Sequence, residues 1–138
     1  MASEAFERHR AEIAAILDER YYPLPWLEAE IAAGRIGLMH NDTAIIGIER
    51  RHYPGGAIEL HGMFAAGRLL GILELIDLAV EAARLSGCTV AAIDSRPGWA
   101  VVLKTRGFVR DRLRIVCELQ QDVLSKAGRE AVRAATRP

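Results

Sequence analysis

Glu59 and His61 are the residues of this chain whose types and spacing point first to chemistry. They stand two apart in a stretch of strand character, so both side chains leave the same face of a pleated strand. A carboxylate beside an imidazole can pass a proton between a substrate and the protein. The same spacing also suits the polar, solvent-facing side of an amphipathic strand. Glu49, on the preceding strand-like stretch, is a third titratable candidate, while His40 and His52 flank turns and read as surface residues. A second chemistry is carried by Arg68-Leu69-Leu70-Gly71-Ile72-Leu73, where a strand feeds a helix through a Gly-containing turn. The first N–H groups of such a helix converge at the positive end of its dipole and can hold a phosphate. Gly71 has another use, close packing of that helix on a sheet. Asp94-Ser95-Arg96 follows a short apolar strand, at the carboxyl end where open α/β sheets gather ligands. Arg96 could contact a phosphate or an acidic partner there. No Ser-His-Asp order, Cys-His pair, phosphate-binding Lys loop or metal-spaced cluster stands out.

The elements that must position these residues follow from periodicity and punctuation. Ser3 to Arg20 reads as a helix with Ser3 as its cap and Phe6, Ile13, Ile16 and Leu17 near helical spacing. Tyr21-Tyr22-Pro23-Leu24-Pro25 breaks it, and Pro25 to Ala33 is a second short helix closed by Gly34. Arg35 to His40, Thr43 to Arg51 and Ala57 to Phe64 then read as an antiparallel meander, turned at Asn41-Asp42 and Tyr53-Pro54-Gly55-Gly56. Arg68 to Ser86 is the central helix, its buried stripe Leu69, Ile72, Leu73, Ile76, Ala79, Val80 and Ala83. Thr89 to Ile93, short and nearly all apolar, suits a strand buried on both faces and parallel to the third. Pro97 to Arg106 is a short helix on which Trp99 packs inward. Phe108 to Leu119 is a last strand, alternating at Leu113, Ile115, Cys117 and Leu119. The organisation expected is one domain over residues 1–119 and a helical tail over 120–138, whose Arg129, Arg133 and Arg137 form a basic edge or a docking surface.

Composition sets the outer limits. The chain has 138 residues, enough for one domain with a core of its own. Eighteen basic side chains balance eighteen acidic ones, so bulk charge gives no case for nucleic acid or for a membrane surface. Cys88 and Cys117 lie in apolar contexts and read as buried free thiols of a reducing compartment. The charged N-terminal residues lack the apolar run of a signal peptide, and no stretch is apolar enough to span a bilayer, so a cytoplasmic chain is expected.

The ordered series from Met63 to Phe108 resembles the GNAT family of acyl-CoA-dependent N-acyltransferases. Arg68-Leu69-Leu70-Gly71-Ile72-Leu73 is similar to that family's pyrophosphate turn, Arg/Gln-x-x-Gly-x-Gly/Ala, with Leu73 in place of its last small residue. Ala82-Ala83-Arg84-Leu85-Ser86-Gly87 and Val102-Leu103-Lys104-Thr105-Arg106-Gly107-Phe108 resemble its later motifs.

The resemblance implies an α/β fold, a mixed α+β sheet of the GNAT type, here without the usual strand ahead of the first helix. It implies acetyl-CoA or another acyl-CoA as cofactor and an unknown amine as acceptor. The cofactor would lie along Met63, Phe64 and Ala65, on the backbone amides from Arg68, Leu69 and Leu70 through Gly71, Ile72 and Leu73, and against Arg96. Glu59 and His61 would supply the base. Leu69, Leu70 and Leu73 are expected to crowd the turn, and Leu103 stands where the family carries an acid Tyr. Tyr53 or Tyr21 could stand in for that acid, though nothing in the spacing places them there, or the leaving thiolate could take its proton from water. A rival implication is an inactive structural module, similar to small GNAT-like proteins of tailed phages and housed in a virion. The free sheet edge and C-terminal helix would then bind a partner or a second copy.

Overall fold

A computed structural model describes residues 4–96, 98–112, 114–119 and 125–136. Helix α1 spans Glu4–Ile16, with Glu4 and Glu7 in its first turn facing the positive end of the dipole. Its buried side carries the neighbours Ala5 and Phe6 and, two helical turns on, Ile13. Pro23, in extended backbone, starts helix α2 (Leu24–Ala32), and Pro25 fits the first turn because no N–H is needed there.

Strands β1 (Gly37–His40), β2 (Ala44–His52) and β3 (Ile58–Gly67) form the expected antiparallel meander. Helix α3 (Leu69–Leu85) carries the chain across to β4 (Val90–Ile93), which lies parallel to β3. The sheet order is β1-β2-β3-β4, with no strand ahead of α1 among the described residues. Helix α4 (Gly98–Leu103) and a 3-10 turn at Lys104–Arg106 follow. The Arg106 guanidinium ties that turn to α3 by two hydrogen bonds to Asp77, of 2.8 and 3.3 Å.

The sheet separates two cores. On one face Ile45, Phe64 and Ala66 meet Phe6 and Ile13 of α1 and Leu27 of α2. On the other, Ala44 and Ile46 meet Ile72, Leu75 and Ala79 of α3, and Trp99 packs there too. The short helix is thus held down as its Trp suggests. Leu75 joins the buried side of α3, whereas Leu69, expected there, is exposed in the first turn.

The junction of β1, β2 and α3 is tightly keyed. Asn41 Oδ1 accepts N–H bonds from Thr43 and Ala44, of 3.0 and 2.8 Å, and its amide donates to the Gly71 carbonyl at 3.0 Å. A Cβ on Gly71 would stand 2.1 Å from Thr43 Oγ1, so only glycine lets the helix approach this turn.

The chain divides into two compact units, Met1–Phe108 and Val109–Pro138. In the second, helix α5 (Lys126–Thr136) opens where Ser125 Oγ accepts the Gly128 N–H at 3.0 Å. The strand expected over Phe108 to Leu119 is absent: its described residues take no regular structure. Alternation gives a strand two faces, but a strand also needs a partner for its backbone, and period alone does not name one. Cys117 is therefore exposed instead of buried, and Cys88 is half-buried; both are free thiols. Ser3, Pro97, Leu113 and Arg137, each given a part above, lie outside the described residues. Among the described residues no helix is long and apolar enough to cross a membrane.

Candidate active site

The period-2 argument places Glu59 and His61 together on β3, on the face turned away from α3. His61 Nδ1 lies 3.1 Å from Glu59 Oε2. The Tyr53 hydroxyl donates to the same oxygen at 3.2 Å, and an Arg51 nitrogen lies 4.0 Å from it. Arg51 in turn donates through Nε to Glu49 at 2.6 Å. Burial works to lower the Arg51 pKa, but the hydrogen bond and charge of Glu49, with help from Tyr53, outweigh it and raise the guanidinium above its ordinary value. His61 is 4% exposed, the buried charged or polar residue of the described core. Its other nitrogen, Nε2, lies 3.5 Å from Asp94 Oδ2, on a side chain that is 90% exposed. His40 and His52 are exposed, as expected of turn-flanking residues.

This order of contacts fixes what the imidazole can do. A carboxylate accepts only, so the proton of the Nδ1–Glu59 bond belongs to the ring. In the neutral ring Nε2 then carries the lone pair and can take a proton. Nε2 is also the end of the ring nearest the exposed Asp94.

The sheet opens beside this pair. Pairing of β3 with β4 runs from Glu59↔Val90 to Gly62↔Ile93 and stops, one residue beyond His61↔Ala92. Met63 to Gly67 continue past the end of β4, and of these Phe64 to Gly67 pair with β2 alone among the described strands. At the same point β3 carries a bulge: Gly47 pairs with Phe64 and Ile48 with Gly62, leaving Met63 as the extra residue. Met63 and Ala65 are half-buried there and Phe64 is buried.

The strand ends at Gly67, where φ is +111° and a Cβ would stand 2.2 Å from the Thr43 carbonyl oxygen, so no other residue fits. Arg68 takes extended backbone as the N-cap of α3, with no side-chain cap and no acidic residue in the first turn. At this turn Leu69 and Leu70 are exposed, Leu70 by 80%. Leu73 is buried. Arg68 and Arg96 are both exposed. One anion already stands close by, since Glu12 of α1 accepts the Gly67 N–H at 3.0 Å. Leu103 is 1% exposed, so an apolar side chain sits where a proton donor was missed.

Arg51 is the member of this cluster that the sequence did not single out. Tyr53 is named there as a substitute for the missing acid and Asp94 at the carboxyl end of its strand, but neither is tied to His61, from which Asp94 stands 33 positions away. The register of β3 against β4 brings Asp94 in, and only the parallel pairing forecast hinted at it.

No family model matches the chain, and no curated protein does. Solved structures match it across most of their length. A transcriptional regulator from Bacillus halodurans C-125 superposes with a TM-score of 0.63 at 16% identity, covering 86% of this chain and 96% of that one. An acetyltransferase of Trypanosoma brucei gives 0.59 at 18%, over 86% and 96%. A predicted acetyltransferase of Clostridium acetobutylicum, solved with acetyl-CoA, gives 0.55 at 12%, over 81% and 84%. With its mixed sheet and its crossover helix from β3 to the parallel β4, the chain has the fold of the GNAT acetyltransferases.

Proposed function

We propose that the protein transfers an acyl group from acyl-CoA to an amine, with His61 as the base and Glu59 as the residue that orients it. The observation that carries this reading is the buried Glu59–His61 contact of 3.1 Å, one residue before the pairing of β3 with β4 ends. Burial in a mixed sheet is costly for a polar ring, and its two nitrogens already meet carboxylates at both ends. Ordinary sheet packing would put an aliphatic residue at this position.

The residues fit an acyl-CoA. The uncapped first turn of α3 offers N–H groups to a pyrophosphate, and Arg68 adds charge beside it. Met63, Phe64 and Ala65 would border the acyl chain, and Arg96 would reach a further phosphate. When bound, acyl-CoA supplies a thioester whose C–S bond breaks as the new C–N bond forms. His61 takes the amine proton at Nε2, and Glu59 stabilises the imidazolium through Nδ1–H. Leu103 has no proton to give, so the sulfur is protonated by water.

Calorimetric titration with acetyl-CoA, with desulfo-CoA and ADP as controls, tests the first half. Transfer assays on an amine panel with His61→Ala and Glu59→Gln test the second. We expect micromolar binding and a fall in kcat of about 100-fold or more for His61→Ala. An absence of heat and of transfer at millimolar acetyl-CoA overturns the reading and leaves a binding module as its replacement.

A further inference from the structure

We infer that Asp94 is the residue that selects the acceptor, holding a cationic aliphatic primary amine against His61. The inference rests on the transferase reading for the word acceptor, but its geometry stands by itself. In the neutral ring, Nδ1–H is committed to Glu59, and Nε2 turns a lone pair toward Asp94 Oδ2, 3.5 Å away. Two acceptors then face each other with no proton between them. A group that donates to both relieves this, and a primary ammonium carries three N–H donors on one cation.

The surrounding charges favour a cation. Glu49, Glu59 and Asp94 stand against the single guanidinium of Arg51, whose Nε is already committed to Glu49. Arg96 is the nearest opposing charge in sequence, two residues along the same exposed loop. Asp94 is also placed where an arriving molecule can reach it, being 90% exposed while His61 is buried. The pair thus divides the work. Asp94 captures the ammonium from solvent, one N–H proton passes to Nε2, and the N–H bond that breaks leaves a neutral amine with its lone pair free; the second proton, released from nitrogen as the C–N bond forms and the C–S bond breaks, passes through water to the leaving thiolate. The imidazolium formed lies between two carboxylates, Glu59 and Asp94. A secondary or tertiary amine, with fewer donors, satisfies the two acceptors less well. A neutral aromatic amine lacks the charge that Asp94 pairs with.

Two measurements on the full chain test this. The first needs no acyl-CoA: the His61 ring signals are followed by NMR as n-butylammonium chloride is added, with tetramethylammonium chloride as control. A saturable shift with butylammonium, weakened about tenfold in Asp94→Asn and restored in Asp94→Glu, is expected. No saturable shift in the wild type overturns the inference. The second measures transfer from acetyl-CoA to butylamine and to aniline. Asp94→Asn should raise KM for butylamine about tenfold, with kcat and the KM for acetyl-CoA changed less than about threefold, and leave aniline unaffected. A loss confined to kcat, or equal for both amines, overturns it by making Asp94 a partner of His61 alone. Ammonium binding without acetyl-CoA binding or transfer would keep the site and sink the transferase reading.

Discussion

The ring of Phe64 lies directly over the α-carbon of Gly47, so close that a Cβ there would fall 2.2 Å from Cε1 of the ring. Phe64 belongs to the core under α1, and Gly47 is the residue at which the pairing of β2 with β3 shifts. Two residues along, the pair Glu49↔His61 carries the candidate base. Gly47→Ala should therefore cost about 1–3 kcal/mol through overpacking, read as a lower urea midpoint at unchanged slope. Transfer activity should fall with it. A neutral midpoint would mean that the ring moves aside freely and that the bulge does not depend on it.

The carboxylate of Glu12 competes with any phosphate at the start of α3, because it already holds the Gly67 N–H. Glu12→Gln keeps an acceptor for that bond and removes the charge. A charge near a helix terminus is worth about 0.3–1 kcal/mol, so acetyl-CoA should bind about two- to fivefold more tightly. Calorimetry at low ionic strength reads this directly, and equal or weaker affinity in the variant contradicts it.

Tyr53 and His61 share one oxygen of Glu59. Tyr53→Phe removes one of the two donors and leaves the other, so kcat should fall about two- to tenfold, with stability lowered by about 1 kcal/mol. A loss as deep as that of His61→Ala would give the Tyr53 hydroxyl a direct part in proton transfer, and would revise the conclusion drawn from Leu103.

The hydrogen bond from Arg35 holds the Glu30 carboxyl below its ordinary pKa; burial opposes this, and the charge of Arg35 adds to it. A carboxyl depressed in the folded state adds stability above its unfolded pKa and loses it as pH falls through the folded one. The stability difference between wild type and Arg35→Ala should thus shrink from neutral to strongly acid pH, and shrink also with added salt. A difference that grows on acidification would contradict this assignment.

Much of this was legible in the sequence because the signals were local. The alternation around Glu59 and His61, the turns at Asn41-Asp42 and Tyr53-Pro54-Gly55-Gly56, and the period of α3 all act over a few residues, and the meander, the parallel fourth strand and the Glu59–His61 pair follow from them. What escaped depends on pairing between distant segments. Asp94 reaches His61 only through the register of β4 on β3, and the bulge at Met63 leaves no compositional trace. The stretch from Phe108 to Leu119 failed the other way: its alternation was real, but nothing in it specified which strand it should pair with. Leu69 was expected in the buried stripe of α3 because period alone does not say that the first turn of the helix projects beyond the core.

The bulge gives β3 a change of frame. Before it, the odd-numbered residues Glu59 and His61 share a face; after it, the even-numbered Phe64 and Ala66 occupy that face. Deleting Met63 would restore simple alternation and leave Glu59, His61, Phe64 and Ala66 on the face they now share. Keeping Met63 but losing the bulge would do the damage: Phe64 would leave its core or His61 would exchange places with Leu60. In an alignment, a one-residue gap here would mark a protein with the same interior and an unbulged strand, and a search for relatives should penalise it less than a gap elsewhere in β3.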